Sequence, residues 1–171
     1  MNTKRLVFLA IMLTVSIALN IIERLVLMGF TGLPMVRLGL ANVVVLILLY
    51  VYSFRDAFAV LLLRILLVGL LAPGATIFSF FLSLAGGLFA IAMMTLFKRL
   101  PSFSIIGVSV MGAAGHAVGQ ILTAVFLFST EEVVFILPLF MTLSIPTGVF
   151  TGIVAKRMIV LLKQTSSTYE Y

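Results

Sequence analysis

Long apolar stretches fill almost the whole chain and constrain its fold more than any other feature. Of its 171 residues, 63% are hydrophobic and 9% are charged, and the mean hydropathy is +1.35. A soluble domain usually carries roughly 25% charged residues, so this chain cannot cover a globular surface with polar groups. We therefore expect an all-α polytopic membrane protein that forms a single integral membrane domain over residues 1–171.

Clusters of charged residues, glycine and proline divide the chain into six predicted helices. The helices cover about residues 4–27, 37–52, 57–71, 76–97, 103–128 and 133–162, and a polar tail follows at 163–171. A membrane span needs about 20 apolar residues. The second and third helices are shorter, so we expect them to be tilted, partly re-entrant or buried against their neighbours. The sixth helix is expected to break near Pro138 or Pro146.

The first apolar stretch follows Lys4 and Arg5 and resembles a signal peptide in outline. It is longer than a typical h-region and no small-x-small cleavage site closes it. We expect it to be retained as the first membrane span.

Basic residues accumulate at one end of the predicted helices. If the N-terminus is cytoplasmic, eight of the eleven Lys and Arg lie at inner ends, and only Arg24 and Arg37 lie near outer ends. This asymmetry follows the positive-inside rule. It predicts six spans in a bacterial cytoplasmic membrane, with both termini cytoplasmic. The eight inner residues are Lys4, Arg5, Arg55, Lys98, Arg99, Lys156, Arg157 and Lys163.

Several kinds of chemistry have no residues to support them. The chain contains no cysteine, and Asp56 is its only aspartate. No Walker loop, metal-binding histidine pair or nucleophile elbow occurs, and no aspartate-rich motif could hold magnesium for prenyl transfer. The net charge of +6 is spread over helix ends rather than gathered in a patch for nucleic acid. We expect a protein that is not an enzyme.

Polar residues inside the predicted spans are the main functional signal. An ionisable group in the membrane is costly and is by default a functional hypothesis. By their position along the helices, all such residues lie at the midplane or in the outer half, which indicates a polar cavity that opens outward. The candidate substrate-binding residues are Glu23, Arg37, Asn42, Arg64, His116 and Gln120, and Asn20 shares their outer position.

Structural roles are open for the same residues. Glu23 and Arg37 can pair across the outer loop, and Arg64 can bond backbone carbonyls. His116 is alternatively an interhelical hydrogen-bond donor. Asn42 and Gln120 can hold helices together.

Small residues recur every four positions on four helices, a spacing that lets helices approach closely. Ordinary packing within the chain is the expected role on the last three helices. On the first helix, the stripe Ala10, Thr14 and Ala18 is a candidate docking face for a partner subunit. The other stripes are Ser79, Ser83 and Gly87; Gly115 and Gly119; and Gly148 and Gly152.

Five segments of the chain resemble the Gx transporter family, which is also labelled heptaprenyl diphosphate synthase component I. The resemblance covers about residues 5–160. The segments are VRLGLANVV at 36–44, Phe54-Arg55, Leu63-Arg64, SLAGG at 83–87 and GAAGHAVGQ at 112–120.

That family resembles the substrate-binding S components of energy-coupling factor (ECF) importers. These are small six-helix membrane proteins that bind a vitamin-like ligand in an outward cavity and dock on a transmembrane scaffold subunit driven by two ATPase subunits. The resemblance implies the same six-helix bundle, the same partners, and a docking role for the stripe Ala10, Thr14 and Ala18.

The ligand implied by the resemblance is a small vitamin- or cofactor-like molecule, with no intrinsic cofactor. The local excess of arginine favours a ligand with an anionic group. Relatives that occur beside electron-transfer components, and importers linked to haem uptake, suggest a flavin, a haem or a quinone-related molecule, with His116 as a haem ligand. The alternative is a membrane component of a quinone- or flavin-linked extracellular electron-transfer or isoprenoid-quinone system.

Overall fold

Six α-helices and no strand make up the residues that the computed structural model describes, which are 3–31, 39–72, 76–128, 134, 135 and 137–168. The all-helical prediction is confirmed for these residues. The helices are α1 (Thr3–Thr31), α2 (Asn42–Val51), α3 (Phe54–Leu71), α4 (Ile77–Lys98), α5 (Ile105–Phe128) and α6 (Leu137–Thr168).

Four of these helices are long and apolar enough to cross a membrane. The stretches that qualify are Thr3–Val26, Ile77–Lys98, Ile105–Leu127 and Leu137–Gln164, in α1, α4, α5 and α6. The helices α2 and α3 do not qualify, so six spans remain a prediction. These four helices indicate that the protein is embedded in a membrane.

The short helix α2 lies at the centre of the bundle. Helix α2 has 10 residues, and the first eight, from Asn42 to Leu49, are buried. It contacts each of the other five helices. A helix that is apolar on every side has to be surrounded by protein or lipid, so burial against its neighbours explains how so short a helix is accommodated.

Local capping sets the starts of α3 and α4, and the bounds of α1 and α2 also differ from those expected. Ser53 caps α3 by accepting from the Asp56 N–H at 3.3 Å. Thr76 and Ser79 form a capping box at the start of α4. α1 continues to Thr31 rather than ending near residue 27, and α2 begins at Asn42 rather than at Arg37.

The expected break at Pro146 is wrong. α6 begins at Leu137, next to Pro138, and runs through Pro146 without interruption to Thr168. Side-chain hydroxyls in this region bond to carbonyls one turn back, as Thr147 does to Leu143 at 2.8 Å. Such back-bonding helps a membrane helix tolerate proline.

Glycines bring α5 against both neighbouring helices. A Cβ on Gly119 would come within 2.7 Å of the Ala85 carbonyl oxygen of α4, and one on Gly148 of α6 would come within 2.6 Å of Val110 Cα. The glycine pairs on α5 and α6 therefore serve packing within the chain.

Ion-pair and hydrogen-bonding contacts connect the helices at the end of the bundle that the sequence predicts to be cytoplasmic. Arg5 Nη2 of α1 donates to both carboxylate oxygens of Asp56, at 2.7 and 2.6 Å, and Ser53 Oγ donates to the same carboxylate at 2.6 Å. Lys98 Nζ, at the end of α4, donates to the Leu49 carbonyl in the last turn of α2. These contacts join α1 to α3 and α4 to α2.

Candidate ligand site

Two small cavities lie side by side between α1, α3 and α4, and they share Asn20 and Ser83 in their walls. Each has a volume of about 10 Å³, which is room for one water molecule. The first is lined by Asn20, Arg24, Ile65, Val68, Gly69, Ser79, Phe80 and Ser83. The second is lined by Asn20, Glu23, Gly39, Ala41, Asn42, Arg64, Ser83 and His116.

A chain of buried hydrogen bonds crosses the second cavity. Arg64 Nη2 donates to Asn42 Oδ1 at 3.3 Å, and Asn42 Nδ2 lies 3.3 Å from His116 Nδ1. Arg64 Nη1 also donates to Ser16 Oγ at 3.5 Å. Arg64, Asn42 and His116 are 2%, 4% and 4% exposed. Residues from α1, α2, α3 and α5 thus meet at one point in the bundle.

The direction of this chain fixes the proton of His116. A guanidinium group only donates, so Arg64 assigns the accepting atom of the Asn42 amide as Oδ1. The amide nitrogen is then the donor toward His116, and Nδ1 is the acceptor. A neutral His116 therefore carries its proton on Nε2.

The carboxylate of Glu23 is bonded to backbone at the start of α2. Its two oxygens accept from the N–H groups of Gly39, at 2.6 Å, and Leu40, at 2.9 Å. Gly39 has φ +82°, a conformation that favours glycine. A Cβ there would lie 2.9 Å from Asn42 Nδ2. Glu23 thus positions the turn that presents Asn42 to the cavity.

Buried positive charge exceeds buried negative charge around the two cavities. Arg24 and Arg64 are 8% and 2% exposed, and Glu23 is the one acid among the residues lining them. Both oxygens of Glu23 accept backbone hydrogen bonds. The site therefore offers more donors than acceptors to anything that enters it.

Three buried side chains near the cavities have polar atoms without a hydrogen-bond partner among the described residues. These atoms are Asn20 Oδ1, Ser83 Oγ, and both Oε1 and Nε2 of Gln120. Ser83 is 7% exposed and Gln120 is 2% exposed. A buried polar atom without a partner costs roughly 1–3 kcal/mol. A bound water or ligand would remove that cost at Asn20 and Ser83, which line the cavities.

The structure brings together four of the predicted site residues. Glu23, Asn42, Arg64 and His116 line one cavity. Gln120 lies one turn beyond His116, and both pack against Gly86 of α4, whose added Cβ would meet His116 Nδ1 at 2.8 Å and Gln120 Cγ at 3.1 Å. Gln120 does not line either cavity. Arg37 lies outside the described residues.

Sequence reasoning leaves four polar wall residues out of the predicted site, namely Asn20, Arg24, Ser79 and Ser83. Asn20 shares only the outer position of the candidates, Arg24 bears only on the orientation, and Ser79 and Ser83 belong only to a packing stripe. Their spacing carried a usable signal: Asn20 and Arg24 lie one turn apart on α1, and Ser79 and Ser83 do so on α4.

The geometry does not suit His116 as a haem ligand. A metal-bound histidine normally donates its second ring N–H to a carbonyl or carboxylate. Here Nδ1 faces the Asn42 amide donor, so the ring would have to give up this bond to free Nε2 for iron. Among the described residues, no group of three or more His, Asp or Glu side chains could hold a metal ion.

The stripe on α1 differs from the other three in its exposure. Ala10, Thr14 and Ala18 are all exposed, whereas Ser83, Gly87, Gly115, Gly119, Gly148 and Gly152 are buried. Thr14 Oγ1 donates to the Ala10 carbonyl at 3.0 Å, so its hydroxyl is satisfied within the helix. The stripe is a narrow surface of small side chains on the outside of the bundle.

Comparison with protein-family models gives one match. Residues 12–158 match the family described as "Heptaprenyl diphosphate synthase component I", which confirms the family that the sequence resembles. Searches of the curated proteins and of the solved structures found no match.

Proposed function

We propose that this chain, which belongs to the heptaprenyl diphosphate synthase component I family, is the membrane-embedded substrate-binding subunit of an ECF-type importer. It captures a small vitamin- or cofactor-like ligand from outside the cell. A scaffold subunit and two ATPase subunits supply the energy for its release inside. This chain itself performs no catalysis.

The observation that carries this proposal is the buried polar wall formed by Arg64, Asn42 and His116. Each of these three polar side chains costs free energy to bury in an apolar bundle, so packing alone does not account for their meeting at one point. Unsatisfied oxygens of Asn20 and Ser83 face the same space.

The charge of the wall favours a ligand with a carboxylate or phosphate group. Arg24 and Arg64 bring two guanidinium groups, and these bind such anions through paired N–H donors. A neutral His116 adds a donor from Nε2. The carboxylate of Glu23 does not oppose the anion strongly, because backbone N–H groups of Gly39 and Leu40 bond both of its oxygens.

Ligand entry requires the helices around the two cavities to part. Ligand pockets usually measure about 300–1,000 Å³, far more than the two cavities of about 10 Å³. Among the described helices, α1 packs only on α2 and α3. Movement of α1 away from α4 would merge the cavities at Asn20 and Ser83 while the close contacts of α4, α5 and α6 stay intact.

The family's name suggests a second candidate function, a catalytic role in prenyl-diphosphate synthesis, and the carboxylates of this chain do not support it. Prenyl-diphosphate chemistry needs carboxylates that hold magnesium, and the only aspartate of the chain is Asp56. Arg5 and Ser53 bond both oxygens of that carboxylate, at the opposite end of α3 from the cavities.

Substitution of Ser83 tests the proposal without disturbing the bundle. Ser83→Ala removes a hydroxyl that has no partner among the described residues, so the unfolding temperature in detergent should not fall. If the cavity is the ligand site, the small molecule that copurifies with the wild type should drop in occupancy. We expect His116→Ala to lower that occupancy by at least about tenfold.

Mass spectrometry of the molecules released from each purified variant gives the readout. Ser102→Ala, in the exposed turn after α4, is the matched control and should keep full occupancy. Full occupancy in folded Ser83→Ala and His116→Ala proteins would contradict the proposed site.

A further inference from the structure

A second concave surface lies on the outside of the bundle, between the start of α5 and the second half of α6. This groove has a volume of about 540 Å³ and is lined by Ile106, Ile153, Lys156, Arg157, Val160 and Leu161. Gly152 brings α6 close to α5 beside the groove, since a Cβ there would come within 2.8 Å of Ile106 Cα. The groove is remote from the candidate ligand site and uses none of its residues.

The two cations of the groove, Lys156 and Arg157, lie among apolar side chains of α6. Ile153 lies one turn before Lys156, and Val160 and Leu161 lie one turn after Lys156 and Arg157. These three aliphatic side chains are 41%, 46% and 57% exposed, as expected of residues that face lipid. A cation placed among lipid-facing side chains is costly unless an anion accompanies it.

The described residues at this end of the bundle do not provide that anion. Asp56 is the acid found there, and its carboxylate is engaged by Arg5 and Ser53. Lys98 and Arg99, where α4 ends, add further positive charge to the same end. Among the described residues, no acid is therefore left to balance Lys156 and Arg157, and an anion bound in the groove would supply that charge.

We propose that this groove binds an acidic phospholipid. Its phosphate lies between Lys156 and Arg157, and an acyl chain follows the aliphatic wall at Ile106 and Ile153. Basic pockets between membrane helices recognise anionic head groups in this way. A lipid supplies both features that the groove needs, a phosphate for the two cations and an apolar tail for the concave wall.

Lipid binding can be measured by native mass spectrometry after reconstitution with equal amounts of phosphatidylglycerol and phosphatidylcholine. The wild type should retain phosphatidylglycerol preferentially. In Lys156→Gln/Arg157→Gln this preference should fall by about 30-fold, because each cation contributes roughly fivefold to the binding of an anionic lipid. The unfolding temperature in detergent verifies that the variant is folded.

Arg55→Gln/Arg99→Gln is the matched control, since it removes two exposed cations from the same end but none from the groove. It should keep the preference for phosphatidylglycerol. An equal loss in both double variants, or no loss in either, would overturn the proposal. It would also be overturned if the groove variant lost an acidic protein partner while its lipid preference stayed unchanged.

Discussion

At the scale of single residues, Gly39 links the start of α2 to the candidate ligand site. Its N–H donates to Glu23, its carbonyl accepts from Asn42 N at 2.9 Å, and its φ of +82° is strained for any residue with a Cβ. The ring of His116 lies 3.4 Å from where that Cβ would stand. The backbone conformation of Gly39 therefore determines how the Asn42 side chain contacts the His116 ring.

Gly39→Ala should destabilise the protein by about 1–2 kcal/mol, the cost of a left-handed conformation for an L residue, and should also lower ligand occupancy. Thermal unfolding in detergent measures the first effect. Gly107→Ala in the first turn of α5 is the control, because its Cβ would meet only side chains, the nearest at 3.3 Å. There alanine should be neutral or stabilising by up to about 1 kcal/mol. Equal losses at the two positions would contradict this account of Gly39.

Arg64, His116 and Asn42 could be predicted as wall residues from the sequence, whereas Ser83 could not. Arg64 and His116 are conspicuous because charge is rare in apolar stretches and each needs a reason to be there. Ser83 is not conspicuous, since serine also serves close packing and helix caps. Only the fold, which places α1 and α4 on opposite sides of the cavities, shows that its hydroxyl shares a cavity wall with Asn20.

At the scale of helices, the exposed stripe on α1 is the proposed contact with the scaffold subunit. Ala10→Leu/Ala18→Leu should reduce copurification of that subunit by at least about tenfold, because bulky side chains prevent close helix approach. Ligand occupancy should stay unchanged, since both residues face away from the cavities. Quantitative mass spectrometry of an affinity pull-down measures both.

Val15→Phe is the control for this prediction. Val15 is 40% exposed on α1 and does not follow the four-residue spacing of the stripe. This variant should retain the scaffold. Retention of the scaffold by the leucine variant, or its loss from both variants, would rule out the stripe as the docking face.

Helix number could be predicted from the sequence better than helix bounds. Six apolar stretches give six helices, but the start of α2 depends on a long-range contact, in which Glu23 of α1 holds the N–H groups of Gly39 and Leu40. A local pattern cannot reveal such a contact. Pro146 was one of the two positions at which α6 was expected to break, but the helix runs through it without interruption.

At the scale of the whole molecule, the absence of cysteine allows the predicted orientation to be tested directly. In intact cells, a membrane-impermeant maleimide should label Thr130→Cys and should label Ser102→Cys only after permeabilisation. Leu46→Cys, buried in α2, is the control and should stay unlabelled in both conditions. Labelling of positions 102 and 130 from the same side would contradict six spans.

Importer function is the central claim, and the most direct test is native mass spectrometry of the tagged protein, gently solubilised from its own membranes. The account predicts a complex with a transmembrane scaffold subunit and two ATPase subunits, together with a small molecule bearing a carboxylate or phosphate. A complex with a quinone or a redox partner, and without ATPase subunits, would contradict it and favour a role in electron transfer.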